Sequence, residues 1–479
     1  MKKQIISLIA IITFVISCAV NPVTGKREFM LISEQDEIKM GREYDPQITQ
    51  MYGVYDDAKL QKYVDDLGQR MVRISHRSDL KFEIKVMDSP VVNAFAVPGG
   101  YLYITRGILA YLNSEAELAG VMGHEIGHVT ARHSAQQQSK AQLAQIGMAA
   151  GSIFVEGFDQ YSGLAGQAVG MLFLKFGRDD ERQSDRLGVE YSTKVGYDAH
   201  EMAGFFNVLN ALSGGTGGGL PDFLSTHPNP ADRVVTVNKL ADKEQNKYKG
   251  KTYVANRDKY LNQINGIIFG NDPQQGFVEN NVFYHPGLKF QFPTPADWTV
   301  NNLPSQVQMV TKDEQAIMVF KLETSDSETQ AASKFVSDNK LTVVSQKSVT
   351  VHGARAQEVI ATANTQQGVL QLMAYFIKKG SNVYSFMGYS AQASYASYAN
   401  TFKTTMSGLK TLTDRSKLNR QPDRIRVRKV ASGTTLENAL KSFGISGDNL
   451  QKHALINGAM ALNTQVKKGM LLKTIEDGK

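Results

Sequence analysis

His124-Glu125-Ile126-Gly127-His128 constrains this chain more than any other stretch. At about 100° of rotation per residue, histidines four apart differ by only ~40° around a helix axis, while the glutamate beside the first points about 100° away. On a helix the stretch therefore offers two imidazoles to one metal ion and one carboxylate to a neighbouring water. Asn113-Ser114-Glu115-Ala116-Glu117 supplies the start, with Ser114 as N-cap and Glu117 reaching back, so a helix is expected from here to about Ser134. Leu118, Val121, Met122, Ile126 and Val129 make its other faces apolar, which predicts burial. Taken alone, a buried helix with two satisfied histidines is the plainer reading.

A catalytic zinc takes three protein ligands and leaves a fourth position to water. His133 is badly placed for the third: the metzincin pattern has a glycine three residues and a histidine six residues past the second motif histidine, and Ala131 and Ser134 stand there. His133 is read as a supporting or surface group. Glu181-Arg182-Gln183-Ser184-Asp185 sits in a helical stretch that Gly196 should end, with Glu181 and Asp185 one turn apart on one face. Glu181 is expected to complete the metal site, and Asp185 to accept a hydrogen bond from a ligand imidazole; the plainer alternative is a solvated Glu181 among its charged neighbours. Gly123, Gly127 and Gly188 each cost a helix up to ~1 kcal/mol relative to alanine, which makes sense where two helices approach closely.

Around this centre, Phe82, Ile84 and Val86 alternate with charged residues, and Val91 to Val97 and Tyr101 to Thr105 flank Pro98-Gly99-Gly100 as a hairpin. Asn93, Ala94, Phe95 and Ala96 are the candidate edge strand for an extended substrate. His227, before Pro228, is the candidate oxyanion donor, steadied by Arg233; it can instead fill the fourth zinc position as a latch, or simply pack before the proline. Gly214 to Gly219 holds five glycines in six residues and reads as a mobile loop, either a gate or a plain connector. Residues 140–175 read as a lid, a lipid-facing segment or ordinary core.

Lys2 and Lys3 followed by the apolar run Ile5 to Ile16 read as an export signal over 1–17, too short for a membrane span of about 20 residues. Val15-Ile16-Ser17-Cys18 resembles a bacterial lipobox, which implies cleavage before Cys18 and its lipidation. Cys18 is the only cysteine, so no internal disulfide is possible; a 42% hydrophobic composition can supply ordinary cores instead. The formal charge of +7 is mild, and the export signal disfavours nucleic acid as a partner. Arg415 to Lys429 is a basic run that reads as a solvated linker or as a surface for anionic lipid or wall polymer.

The expected fold is a mainly α zinc-protease domain with a small antiparallel sheet over 18–265, an α+β domain over 280–413, and a small strand-helix-helix-strand module over 424–475. Beyond the two motifs, Asn21-Pro22-Val23-Thr24-Gly25 after the lipobox, Asn93-Ala94-Phe95-Ala96 before Gly99-Gly100, and Ser225-Thr226-His227-Pro228 leading to Arg233 stand in the order of one family. The first 260 positions resemble the gluzincin metallopeptidases of family forty-eight, which include HtpX, BepA, LoiP and the type 1 CAAX prenyl proteases. Phe290-Gln291-Phe292-Pro293 with Trp298 resembles the opening of PsbP-like and Mog-type domains, and 424–475, with Gly433-Thr434-Thr435-Leu436 and Ile456-Asn457-Gly458, resembles a LysM module. The resemblance implies a zinc endopeptidase with one Zn2+ per chain held by His124, His128 and Glu181, and with Glu125 as base. Misfolded or misassembled envelope proteins would be its substrates, peptidoglycan would meet 424–475, and lipidated Cys18 would hold the body on the periplasmic face of the outer membrane. A non-catalytic lipid-anchored scaffold, wall-binding or chaperone-like, is the alternative.

Overall fold

A computed structural model describes residues 18–150, 176–213, 223, 226–227, 232–365, 368–459 and 461–478, apart from the side chains of Cys18 and of 143–150. The export segment, the glycine run 214–219 and most of the 140–175 stretch lie outside these residues. Contacts divide the chain into two units, one built of most residues up to 271 together with 423–477, the other of 272–422 with a few more residues.

The first unit opens with a hairpin of β1 (Cys18–Val20) and β2 (Arg27–Phe29), in which Cys18 pairs with Phe29. Asn21 builds its turn: the side-chain oxygen accepts from the amides of Val23 and Thr24 at 2.9 and 3.2 Å. Helices α1 (Glu34–Tyr52) and α2 (Ala58–Val72) follow, each N-capped as its sequence dictates, by Ser33 and Asp57. Next come β3 (Glu83–Met87), β4 (Ala94–Val97) and β5 (Tyr101–Thr105), in the order β3-β5-β4. The predicted hairpin is β4-β5, but the expectation of an antiparallel sheet needs correcting: β3 runs parallel to β5, with Glu83 opposite Tyr101. Alternation predicts a strand, and only the crossover between strands sets its direction.

Helices α3 (Arg106–Tyr111), α4 (Glu115–Thr130) and α5 (His133–Ala150) continue the chain, and α6 (Arg178–Lys194), α7 (Glu201–Ser213), α8 (Arg233–Gln245) and α9 (Arg257–Ile264) complete the helical layer. All of α4 is buried, and its cap differs in one bond from the expected box. Ser114 Oγ accepts from the Glu117 amide at 3.0 Å, while the Glu117 carboxylate accepts from the amide of Asn113, one residue earlier, at 2.6 Å. The helix also stops at Thr130 rather than near Ser134, because Arg132 takes a left-handed conformation (φ 61°). Arg132 is held there by Glu37 Oε1 at 3.0 Å and the Ile32 carbonyl at 2.9 Å.

The glycine argument holds for α4 against α6. A methyl on Gly123 would lie 3.0 Å from Gly188 Cα, and one on Gly188 would lie 3.1 Å from Gly120 O and the His124 amide nitrogen. Gly123→Ala is expected to destabilise the protein by about 1–3 kcal/mol in urea unfolding, the overpacking outweighing the gain in helix propensity. A stabilised variant would refute the close approach.

The second unit is α+β, as expected. Strands β6 (Phe277–Glu279), β7 (Val282–His285) and β8 (Phe290–Pro293) form one sheet with β16 (Lys410–Thr411). Strands β9 (Thr299–Leu303), β10 (Gln306–Val310), β11 (Ala316–Glu323), β12 (Thr342–Val351), β13 (Ala354–Thr365), β14 (Gly368–Lys379) and β15 (Asn382–Ala391) form an antiparallel sheet ordered 12-13-14-15-11-10-9. Helix α10 (Glu328–Asp338) packs Ala331 and Ala332 on Val359 and Ala361, while α11 (Tyr395–Ser407) joins a core of Phe290, Phe292, Phe320 and Phe386. Alternate residues of β13 serve the two cores, as a strand covered on both faces requires.

After the second unit the chain returns to the first as β17 (Arg424–Lys429), β18 (Thr434–Thr435), α12 (Leu436–Ser442), α13 (Asn449–Ile456), β19 (Gln465–Val466) and β20 (Leu471–Glu476). The expected strand-helix-helix-strand order is present with β17 paired to β20, and two short strands that the sequence did not announce, β18 and β19, pair with each other beside the helices. Much of the basic run is partnered: Lys417 and Arg420 face Glu279, Arg424 donates to the Gly266 carbonyl, and Arg426 meets Glu476. Among the described residues no helix is long and apolar enough to cross a membrane.

Candidate metallopeptidase site

Helix α4 presents His124 and His128, and α6 crosses it at the glycine contact and brings Glu181 and Asp185 to the same place. His227 joins them. One donor atom from each of His124, His128, Glu181 and His227 lies within 4.8 Å of the others, and none of these four residues is more than 2% exposed. Three imidazoles and a carboxylate converging in a dry interior are poorly explained by hydrogen bonding to one another, since two lone-pair nitrogens such as His124 Nε2 and His128 Nε2, 3.0 Å apart, repel unless a proton or cation lies between them. The donor set suits a transition-metal cation.

The electrostatics ask for the same thing. Burial alone would push Glu181 up, yet the neighbouring His227 and His124 hold it well below the usual carboxylate range. Burial pushes His128 well below an ordinary imidazole, leaving it neutral as a ligand must be. Burial pulls His227 down, but Glu181 and Glu125 outweigh it and raise it, so the site draws positive charge to its centre. Glu125 Oε1 is buried without a hydrogen bond, 3.4 Å from His227 Nε2, and burial raises its carboxyl.

Each ligand tautomer is set from outside. His124 Nδ1 donates to Asp185 Oδ1 at 2.9 Å, which frees Nε2 for the cluster. On the other histidine, His128 Nδ1 meets His133 Nδ1 at 3.0 Å, and His133 Nε2 meets Gln183 Oε1 at 3.0 Å. If His133 Nε2 donates to the glutamine oxygen, His133 Nδ1 is left to accept from His128, and His128 Nε2 faces the centre as a lone pair. His133 is thus a buried supporting group, 1% exposed, and not a surface one. Asp185→Ala is expected to weaken zinc binding about 10- to 100-fold in a competitive chelator titration; unchanged affinity would remove Asp185 from this role.

One placement differs from expectation. Arg233 does not steady His227; its Nε and Nη2 bind the two Asp185 oxygens at 2.9 and 2.6 Å, and Nη1 lies 3.2 Å from Glu181 Oε2. A planar guanidinium at the start of α8 matches the fork of a carboxylate better than an imidazole edge. The guanidinium also sits 4.1 Å over the Phe206 ring. His227 is held instead by rings that the sequence reading missed: Phe223 stacks on it at 4.7 Å and Phe176 at 5.5 Å, the latter also 3.9 Å from His128. Nothing in the spacing of two phenylalanines distinguishes them from core. Their nearness to the two motifs was the available signal.

Strand β4 is one of the two edges of its sheet and packs beside α4. Ala94 and Phe95 are buried and Ala96 is partly exposed; the Asn93 amide donates to Thr105 Oγ1 at 3.2 Å and its carbonyl accepts from the Thr105 amide at 3.1 Å, while its side-chain oxygen is buried without a hydrogen bond.

A buried helix bearing two histidines and a glutamate, crossed by a second helix that supplies a glutamate and an aspartate, defines a metallopeptidase domain of the His-Glu-x-x-His type. Residues 58–241 match the model of Peptidase family M48. The chain is 31% identical over 261 residues to the beta-barrel assembly-enhancing protease of Escherichia coli K12, covering 50% of this chain and 52% of that one. It is 30% identical over 220 residues to the mitochondrial metalloendopeptidase OMA1 of Schizosaccharomyces pombe, covering 44% of this chain and 63% of that one. The chain thus spans between half and two thirds of the length of these two relatives. Among solved structures, cyanobacterial PsbP (CyanoP) from Synechocystis sp. PCC 6803 aligns over 27% of this chain and 91% of its own, at 11% identity and a TM-score of 0.24, too slight a likeness to assign a domain.

Proposed function

We propose that the protein is a zinc-dependent endopeptidase that hydrolyses misfolded or misassembled cell-envelope proteins. The observation that carries this is the convergence of the His124, His128, Glu181 and His227 donors beside a Glu125 oxygen that has no hydrogen bond. A zinc ion held by His124, His128 and Glu181 would supply a Lewis acid that makes water a nucleophile near neutral pH. Glu125, carrying no hydrogen bond on Oε1, takes the proton from the attacking water and returns it to the nitrogen of the leaving amine. Asp185 and Arg233 keep His124 and Glu181 in one orientation throughout. An extended substrate lies along β4, paired main chain to main chain, which gives affinity with little sequence preference and suits unfolded chains.

In this proposal lipidated Cys18 holds the body on the periplasmic face of the outer membrane, with residues 424–475 offering a contact to peptidoglycan. The names of the E. coli and yeast relatives, both peptidases, support the enzymatic reading over the scaffold. The test is purified mature protein: one zinc per chain together with cleavage of unfolded casein supports the proposal. Stoichiometric zinc with no cleavage of casein or of unfolded envelope proteins moves the scaffold ahead.

A further inference from the structure

We propose that the C-terminal module, residues 423–477, is the strut that positions the active helix α4, and that Lys473 is its positioning residue; this rests on the peptidase reading above. The module is not an appendage. Ile425, Ile456 and Ile475 belong to the same buried apolar cluster as Leu109, Leu112, Tyr260 and Leu261. Its first strand exchanges backbone hydrogen bonds with the segment after α9: Ile425 N donates to Ile267 O at 2.9 Å, Gly266 N to Ile425 O at 2.8 Å, and Phe269 N to Asp423 O at 2.8 Å. Arg257, at the start of α9, donates to the Leu471 carbonyl at 2.6 Å.

Lys473 extends from β20 into this interior and is fully buried. Its Nζ donates to the carbonyls of Ala110 at 2.8 Å and Leu112 at 2.6 Å, the end of α3, where helical carbonyls have no partner of their own. Asn113 and Ser114 come next and open α4. Glu117, in the first turn of α4, holds the Asn113 amide with its carboxylate at 2.6 Å, so the turn that Lys473 caps leads directly into the active helix. Asn457 fixes the lysine in turn, donating to its carbonyl and accepting from its amide, each at 2.8 Å. Gly458 leaves room for Asn113, since a methyl there would lie 3.0 Å from Asn113 Nδ2.

Glu117 and His124 are seven residues apart on one rigid helix, about 10 Å along the axis. Between them α4 meets α6 backbone to backbone, a methyl on Gly123 lying 3.0 Å from Gly188 Cα, so the two helices have little room to shift against each other. A displaced N-terminus of α4 therefore moves His124 and Glu125 against Glu181 and Asp185. A misplacement well under 1 Å is enough to slow chemistry while leaving substrate binding on β4 unchanged.

The experiment compares full-length native protein, Lys473→Met and Lys473→Arg for casein cleavage, zinc content and the visible spectrum of the cobalt-substituted form. Lys473→Met is expected to fold and bind one metal, to lose about tenfold in kcat with KM within twofold, and to show altered cobalt bands; Lys473→Arg is expected to recover part of kcat. A folded Lys473→Met with native kcat and native cobalt bands overturns the proposal. Should the native protein cleave nothing, the cobalt bands still decide: altered bands support the strut while the peptidase reading fails alone. If Lys473→Met does not fold, Asn457→Ala, which keeps the lysine and loosens only its backbone, is read by the same two criteria.

Discussion

Glu125→Gln is expected to lower casein cleavage by about a thousandfold or more while the protein keeps its zinc and its fold. The glutamine has the same shape and fills the same space, so packing around α4 is untouched. It cannot accept the proton of the attacking water. The carboxylate it replaces is 1% exposed, is raised by burial against the pull of His227 and His124, and has one oxygen without a hydrogen bond. Leaving a charged group so poorly satisfied costs stability, and a chain that needed only structure would have no use for it. Removing the charge is therefore expected to leave the melting temperature unchanged or slightly raised. A Glu125→Gln protein that retains more than a tenth of native cleavage would end the assignment of Glu125 as base.

The elements of the site that were legible in the sequence are those whose spacing follows helix geometry. His124 with His128, and Glu181 with Asp185, are each fixed by a four-residue interval on one helix face, and the glycines announce that the two helices touch. What was not legible depends on contacts between segments far apart in the chain. Arg132 ends α4 early through a left-handed turn that no glycine signals, because Glu37 and Ile32, some hundred residues earlier, hold it. The parallel pairing of β3 with β5 and the choice of Asp185 over His227 as the Arg233 partner are likewise set by packing and not by local pattern. Lys473 is the sharpest case. In the sequence it is one lysine in a strand of a basic module, and only the fold shows it buried against the start of the active helix.

His227→Ala is expected to raise cleavage of unfolded casein, by up to about a hundredfold if the closed site is populated near 99% at rest. His227 Nδ1 lies 2.9 Å from Glu181 Oε1 and 3.3 Å from His124 Nε2, inside the donor cluster, and its Nε2 faces Glu125 at 3.4 Å. Four protein donors make a closed metal site, and three leave the position that hydrolysis needs. With a zinc ion held by the other three donors, His227 would take the water's place, and its Nε2 stands against the base. Phe223 and Phe176 stack on the ring and hold it there. Alanine removes the fourth donor, keeps the other three, and leaves Asp185 and Arg233 in place. Zinc should stay at one per chain with somewhat lower affinity, and the cobalt-substituted protein should show bands shifted by exchange of an imidazole for water. A fall in cleavage of about a hundredfold at full zinc would reverse the conclusion: the imidazole would then be the donor that stabilises the oxyanion, and it would have to leave its place in the cluster to do so.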